Sequence, residues 1–221
     1  MRITPTLEYE YQLWQAGKKL LVGIDEVGRG AYCAGVVAAA VILPQDEEKL
    51  AQLVGVRDSK QLSAKAREVL AIKVREVALV IGVGAASPAE IDRINIRAAT
   101  ALAMRRALRK VGTYEHLLVD GLPVKELDLT RQTAIIKGDC FCLSIACASV
   151  VAKVCRDGLM HKLAVRYPGY GWEHNAGYGT AEHRAGLAEL GITPHHRRSF
   201  APIRALTFAN PEILSAIQVQ E

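Results

Sequence analysis

The sequence is short of the features that mark most classes of protein outside the globular ones. Its longest apolar run, Val36 to Leu43, is about eight residues, whereas a membrane-spanning helix needs roughly 20. The opening residues, Met1 to Tyr9, mix Pro, Arg and Glu with no apolar stretch, so no secretory signal is expected. Five cysteines (Cys33, Cys140, Cys142, Cys147 and Cys155) make an odd count without a C-x-x-C pair, and Cys140 and Cys142 stand too close together to serve as zinc-binding partners. They read as reduced, small core residues, and a cytoplasmic location is expected. No stretch matches G-x-x-x-x-G-K-[ST] or G-x-G-x-x-G, so nucleotide-hydrolase and dinucleotide-binding readings have no anchor. Repeats, low-complexity tracts and Ser/Pro-rich linkers are missing too. Membrane-spanning, secreted and fibrous classes are excluded.

What is present is globular. Of 221 residues, 50% are hydrophobic and 23% charged, and 28 Lys+Arg against 23 Asp+Glu give a net charge of +5. The simplest organisation is one domain over 1–221, with a sheet core over about 1–165 and a substrate-contacting, helical C-terminal extension over about 166–221. Leu20–Asp25 and Val36–Leu43 read as strands, the second stopped by Pro44. Ser63 to Val77 carries helical periodicity, and Ala78 to Ala85 reads as a strand. Ser87-Pro88-Ala89-Glu90 is a capping box with proline at the first helical position, so a helix is expected from there to about Val111. His116–Asp120 and Gln132–Lys137 read as strands. Leu143 to Arg166 reads as a long helix whose first half is lined by Ala146, Cys147, Ala148, Ser149 and Ala152, small enough to approach a sheet closely. A last helix is expected from Thr180 to Leu190, ended by Gly191. Strands repeatedly precede helices, which gives an α/β class with a central mixed β-sheet flanked by helices.

The informative pattern is where acids end the apolar runs. Asp25 and Glu26 close the first strand, Asp120 closes a later one, and Asp139 follows another in Lys137-Gly138-Asp139. If those strands are neighbours, four carboxylates converge at one edge of the sheet, where α/β proteins keep ligand sites. Two like charges about 4 Å apart repel by about 4 kcal/mol at an effective dielectric of 20. Bound cations resolve that cost, and all-oxygen ligation selects Mg²⁺ or Mn²⁺ over zinc. A pair of such ions suits phosphodiester hydrolysis, one activating water and the other stabilising the leaving oxygen.

Directly after the acid pair comes Gly28-Arg29-Gly30. Glycines let the backbone approach a ligand, and arginine offers a bidentate phosphate contact. Five of the six histidines (His161, His174, His183, His195 and His196) lie near Tyr167, Tyr170, Trp172 and Tyr178, with a basic run at His195-His196-Arg197-Arg198. Beside an acidic metal cleft, this late region reads as a nucleic-acid cradle with rings available for stacking.

Taken in order, Gly23-Ile-Asp-Glu-Val-Gly-Arg-Gly30, Asp58-Ser-Lys-Gln-Leu62, Val119-Asp-Gly121, Lys137-Gly-Asp139, Ile145-Ala-Cys-Ala-Ser-Val-Val-Ala-Lys153, Arg156-Asp157, Gly177-Tyr-Gly-Thr180 and His196-Arg-Arg-Ser-Phe200 resemble bacterial ribonuclease HII over roughly residues 5 to 205. The resemblance implies a ribonuclease H-like fold and a metal-dependent endonuclease, using two Mn²⁺ or Mg²⁺ ions. The implied substrates are RNA–DNA hybrids and single ribonucleotides embedded in duplex DNA. The implied ends are 3′-hydroxyl and 5′-phosphate, as in ribonucleotide excision repair. It assigns Asp25, Glu26, Asp120 and Asp139 to metal binding and catalysis. Gly28, Arg29 and Gly30 would read the ribose 2′-hydroxyl and adjacent phosphate, Tyr178 would stack on the neighbouring sugar, and Lys60 would contact a phosphate. Asp157 is left out, as a mid-helix structural partner of Arg156.

Ribonuclease HIII, a relative within the family, carries an N-terminal substrate-binding domain for which the 24 residues before Asp25 leave no room. The tail Asn210–Glu221 has no aromatic pair of the kind that docks on a sliding clamp, so a monomer without that partner is expected. One departure stands out. Where the family usually reads Pro-Leu-Ala-Gly-Pro, this chain has Ala31-Tyr32-Cys33-Ala34-Gly35, and losing two prolines implies that the loop carrying Arg29 is looser or differently shaped. A non-catalytic hybrid-binding protein of the same fold is the alternative, and a resolvase-type nuclease acting on DNA alone is a third reading.

Overall fold

A computed structural model describes residues 4–209. In chain order the elements are α1 (Glu8–Gln15), β1 (Leu21–Val27), β2 (Val36–Ile42), α2 (Glu47–Ala51), α3 (Ala64–Val77), β3 (Val80–Ala86), α4 (Pro88–Val111), β4 (His116–Asp120), β5 (Gln132–Ile135), α5 (Gly138–Phe141), α6 (Leu143–Arg166), α7 (Trp172–Asn175), α8 (Ala181–Leu190) and α9 (Ala201–Ala209). They fall into two compact units. Among the described residues the first comprises 4–27, Val37–Ala85 and Thr100–Cys155, and the second Gly28–Val36, Ala86–Ala99 and 156–209.

The first unit is built on one five-stranded sheet in the order β3-β2-β1-β4-β5. β1 runs antiparallel to β2 and parallel to β4, and β4 is parallel to β5, so the sheet is mixed. Every residue of β2 is buried, which is why its sequence reads as an unbroken apolar run rather than an alternation. The small residues of α6 do what their size allows. A Cβ on Gly23 of β1 would lie 2.3 Å from the Ser144 carbonyl carbon and 2.5 Å from the Ile145 nitrogen, so only glycine lets strand and helix meet here. Ala146, Cys147, Ala148 and Ala152 are buried in the same core as Val41, Leu70 and Val74.

The segment before β1 has a role that the sequence did not disclose. The Thr6 carbonyl accepts from the Leu143 N–H at 2.9 Å and the Thr6 N–H donates to the Phe141 carbonyl at 3.1 Å. Glu10 of α1 is buried, and its Oε1 accepts from the Ser144 N–H at 2.8 Å and from the Cys142 thiol at 3.1 Å. A carboxylate thus caps the start of α6 from another element, where orphan N–H groups and the helix dipole favour negative charge.

The capping box before α4 is formed: the Ser87 hydroxyl accepts from the Glu90 N–H at 3.2 Å and Glu90 accepts from the Ser87 N–H at 2.8 Å. The single helix expected up to Val111 is interrupted, however. Asn95 has φ 66° and ψ 164°, and its side-chain oxygen accepts from the Arg97 and Ala98 N–H groups at 3.0 and 3.1 Å. Asparagine at this point caps a second helix rather than continuing the first.

The second unit has its own core of Cys33, Met160, Leu163, Tyr170, Trp172, Leu187 and Ile203. α8 begins at the Thr180 side-chain cap and ends at Gly191, whose φ is 75°. Among the described residues no helix is long and apolar enough to cross a membrane. The tail from Asn210 to Glu221, on which the clamp expectation rests, lies outside the described residues.

Candidate active site

The first unit gathers the acids. The parallel register pairs Ile24 of β1 with Val119 of β4, so Asp25 and Asp120 are the next residues on adjacent strands. Beyond β5, the Gly138 N–H donates to Asp120 Oδ1 at 2.7 Å, which ties the start of α5, and with it Asp139, to the end of β4. Asp25 is buried, accepts from the Glu26 N–H at 2.7 Å and bonds the Ser149 side chain on α6. Ser149 in turn lies 3.0 Å from the hydroxyl of Ser59.

The electrostatics of the cluster follow from burial and proximity. Burial, then the charges of Glu26 and Asp120, push the Asp25 carboxyl well above the ordinary range. Asp139 is raised by burial and then by Asp120 and Asp58. Burial works to lower Lys60, yet Asp58, Asp139, Asp25 and Asp120 together raise it. Asp25, Asp120, Asp139 and Lys60 therefore share one electrostatic neighbourhood, with Glu26 alongside Asp25. They form a chain of neighbours rather than one knot.

The tightest grouping of potential ligands among the described residues is Asp58, Asp139 and Cys140, whose atoms all lie within 4.8 Å of one another. Asp58 was not among the expected ligands, although the Asp58-Ser-Lys-Gln-Leu62 motif contains it. Its Oδ1 caps the 3₁₀ turn Ser59–Gln61 through the Lys60 N–H at 2.9 Å. The donor set near Asp139 is also not purely oxygen, as the sequence reading had it. Burial and then Asp139 hold the Cys140 thiol up at about 11, so without a bound cation it is protonated at neutral pH and bonds Asp139. The carboxylates present therefore fit a hard, oxygen-preferring divalent ion. All five cysteines are free, with Cys33, Cys142 and Cys147 buried and Cys140 and Cys155 half-buried.

The second unit holds Gly28, Arg29, Gly30 and Tyr178. Gly28 has φ 92°, and a Cβ there would sit 2.1 Å from Arg156 Nε. A Cβ on Gly30 would lie 3.7 Å from Tyr178 Cε1, so that glycine rests against the ring. Two buried arginines fasten the loop. Arg197 donates to the carbonyls of Gly28 (2.6 Å), Arg29 (2.8 Å) and Ala34 (2.9 Å). Arg156 donates to those of Gly35 (3.2 Å), Cys33 (3.2 Å) and Ala176 (2.8 Å), and its guanidinium lies 5.8 Å from the Tyr178 ring centre. Burial and the neighbouring Arg156 lower Arg197 to about 10, which leaves it charged at neutral pH.

Two expectations are corrected here. The loop, read as loosened by its missing prolines after Arg29, has five of the carbonyls of residues 28–35 held by arginine. Ala34, in the place of a family glycine, takes φ 60°, a conformation costing an L-residue about 1–2 kcal/mol, and its carbonyl is one of the five. The His195–Arg198 run is also only partly a solvated basic surface: Arg198 is exposed and His195 half-buried. His196 and Arg197 are buried, as are His183, Trp172 and Tyr170. Burial followed by the charge of His183 lowers His196 to about 3, so it is neutral. Of the late aromatic residues that could stack on nucleic acid, Tyr178 is exposed, at 38%. Periodicity could not have revealed this, because the run lies outside regular helices and strands.

A mixed sheet in this order, with Asp25 and Glu26 near the C-terminal end of β1 and Asp120 at that of β4, defines the class as a ribonuclease H-like nuclease. The family model described as Ribonuclease HII matches residues 22–203. The chain is 57% identical over 206 residues to the ribonuclease HII of Synechococcus sp. (strain JA-3-3Ab), covering 92% of this chain and 91% of that one. It is 50% identical over 215 residues to that of Thermosynechococcus vestitus, covering 97% and 98%. Among solved structures it is similar to the ribonuclease H2 of Pyrococcus horikoshii OT3 (TM-score 0.70, 24% identity, 86% of this chain and 97% of that one). It is also similar to the RNase HII of Archaeoglobus fulgidus, solved as a complex with PCNA (TM-score 0.69, 28% identity, 80% and 93%). Bst-RNase HIII, solved in complex with Mn²⁺, shares the fold (TM-score 0.68, 20% identity, 90% and 72%). The chain belongs to the ribonuclease HII family: it is a divalent-metal-dependent endonuclease of ribonuclease H type 2 that acts on nucleic acid.

Proposed function

We propose that this enzyme hydrolyses the RNA strand of RNA–DNA hybrids and cuts on the 5′ side of single ribonucleotides embedded in duplex DNA, leaving 3′-hydroxyl and 5′-phosphate ends. The observation that carries this reading is the set of neighbouring acids at the ends of β1 and β4, with the Asp25 carboxyl raised by its burial and then by Glu26 and Asp120. Such a set is stabilised by cations. In this reading Asp25, Glu26, Asp120 and Asp139 hold Mn²⁺ or Mg²⁺, two ions with substrate present. Bound there, the ions would supply an activated water and stabilisation of the leaving oxygen.

The chain's own residues orient the parts. The Glu26 N–H and Ser149 fix the Asp25 carboxylate, and the Gly138 N–H fixes that of Asp120. Gly28, Arg29 and Gly30 read the 2′-hydroxyl and adjacent phosphate, on a loop whose carbonyls Arg197 and Arg156 hold. Tyr178 stacks on the sugar at the RNA–DNA junction, and the Lys60 ammonium meets a phosphate near the acids. The reading takes residues 1–221 as a single nuclease domain and the enzyme as a cytoplasmic monomer without a sliding-clamp partner.

The test is a panel of duplexes containing one ribonucleotide, several ribonucleotides or none, each with Mg²⁺ and with Mn²⁺. Nicking 5′ of the single ribonucleotide, lost in Asp120→Asn while the fold is retained, is the expected result. Equal cutting of the all-DNA duplex, or undiminished activity in the variant, would refute the assignment.

A further inference from the structure

The buried histidines of the second unit form a relay that ends on Tyr178. His196 Nδ1 lies 2.8 Å from the Thr193 N–H, a group that can only donate, so this nitrogen accepts and the proton of the neutral ring sits on Nε2. His196 Nε2 is 3.1 Å from His183 Nε2. The Trp172 indole N–H, likewise only a donor, reaches the same His183 Nε2 at 3.0 Å. His183 Nε2 therefore accepts from both, and its own proton sits on Nδ1, 3.0 Å from the Tyr178 carbonyl oxygen, which can only accept. The assignments made from the two ends of the chain agree. Both rings are buried. Burial lowers His183, and burial, His183 and His195 lower His196.

The Tyr178 peptide needs such a hold. It lies between Gly177, at φ 79°, and Gly179, two residues that leave the backbone free to choose other conformations. Its N–H donates to the Asn175 carbonyl at 2.9 Å, and its own carbonyl accepts from the Thr180 N–H at 2.8 Å as well as from His183. The Tyr178 residue is exposed, and its ring lies against Gly30. We propose that His183 is a positioning residue: its Nδ1–H, kept in that tautomer by Trp172 and His196, fixes the Tyr178 peptide and hence the aim of the ring. The proposal rests on the reading of Tyr178 as the ring that stacks on the sugar at the ribonucleotide.

A kinetic cycle on a duplex with one ribonucleotide tests it, using the wild type, His183→Gln, Tyr178→Ala and the double variant. Loss of one hydrogen bond that acts through substrate binding should raise KM about fivefold to tenfold, with kcat within about twofold. In the Tyr178→Ala background the His183 change should then add nothing. An equal rise in that background, with Tyr178→Ala itself impaired, overturns the proposal while leaving the stacking reading intact. An unimpaired Tyr178→Ala sinks the stacking reading and the proposal together. If His183→Gln does not fold, long-range ¹H–¹⁵N spectra of the wild-type imidazoles decide. Protonation of His183 at Nδ1 and of His196 at Nε2 supports the relay, and a His183 proton on Nε2 overturns it.

Discussion

Lowering the pH should weaken the second unit through His196 in particular. The ring is buried and its folded-state value falls from 6.5 to about 3. Between those values the unfolded chain binds a proton that the folded chain refuses, so stability rises with pH across the window and is lost as pH falls through it. From neutral pH to about pH 5 the loss amounts to about 2 kcal/mol, at about 1.36 kcal/mol per unit. Asp25 and Asp139 act in the opposite sense. Their folded values are raised, so their burial favours the fold at low pH and works against it as pH rises. The wild-type slope is therefore a sum, and the useful quantity is the gap between wild type and His196→Asn, whose amide oxygen can still accept from Thr193. Thermal melts in EDTA should show that gap shrinking by about 2 kcal/mol between pH 7.5 and pH 5, or about 4–8 °C for a chain of this size. A gap constant over the range would mean that His196 titrates as an ordinary exposed histidine, and the relay argued from its neutrality would be wrong.

Three other substitutions probe the framework. Gly23→Ala should lower stability in urea by about 1–3 kcal/mol, because its methyl meets the backbone of Ser144 and Ile145; an unchanged midpoint would contradict the close approach of β1 and α6. Arg197→Met should cost about 2 kcal/mol or more by taking the guanidinium from three carbonyls, of which only that of Gly28 keeps another donor, the Ala31 N–H, and Arg197→Lys, with a single ammonium, should restore only part of it. Full stability in the methionine variant would rule out the clamp. Gly28→Ala places a methyl against Arg156 at a positive φ, so cleavage of a ribonucleotide-containing duplex should fall more than about tenfold while the rise in melting temperature on adding Mn²⁺ is kept. Parallel loss of both effects would place the damage in the metal centre instead.

Much of this architecture could be read from the chain. β2 and β4 were legible as apolar runs, α3 and α6 by their periodicity and small residues, the start of α4 by its capping box and the end of α8 by Gly191, because each signal is local. Asp25, Asp120 and Asp139 were legible because an acid at the end of an apolar run is costly unless it serves something. What escaped depends on contacts between distant segments. Asn95 looks like any helical polar residue until its φ of 66° turns it into a second cap. Arg197 and His196 look like surface charge, yet they serve the carbonyls of a loop about 160 residues earlier and the imidazole of His183. Glu10 is one acid of a polar helix by pattern, and the cap of α6 by position. Polar residues that satisfy buried partners leave no periodic trace.

The central claim is that the acids at the ends of β1 and β4 share divalent cations. Crystals soaked in Mn²⁺ and measured at the manganese absorption edge test it most directly. Anomalous density should appear among the carboxylates of Asp25, Glu26, Asp120 and Asp139. Density confined to Asp58 and Cys140, or none at concentrations that support cleavage, would contradict it.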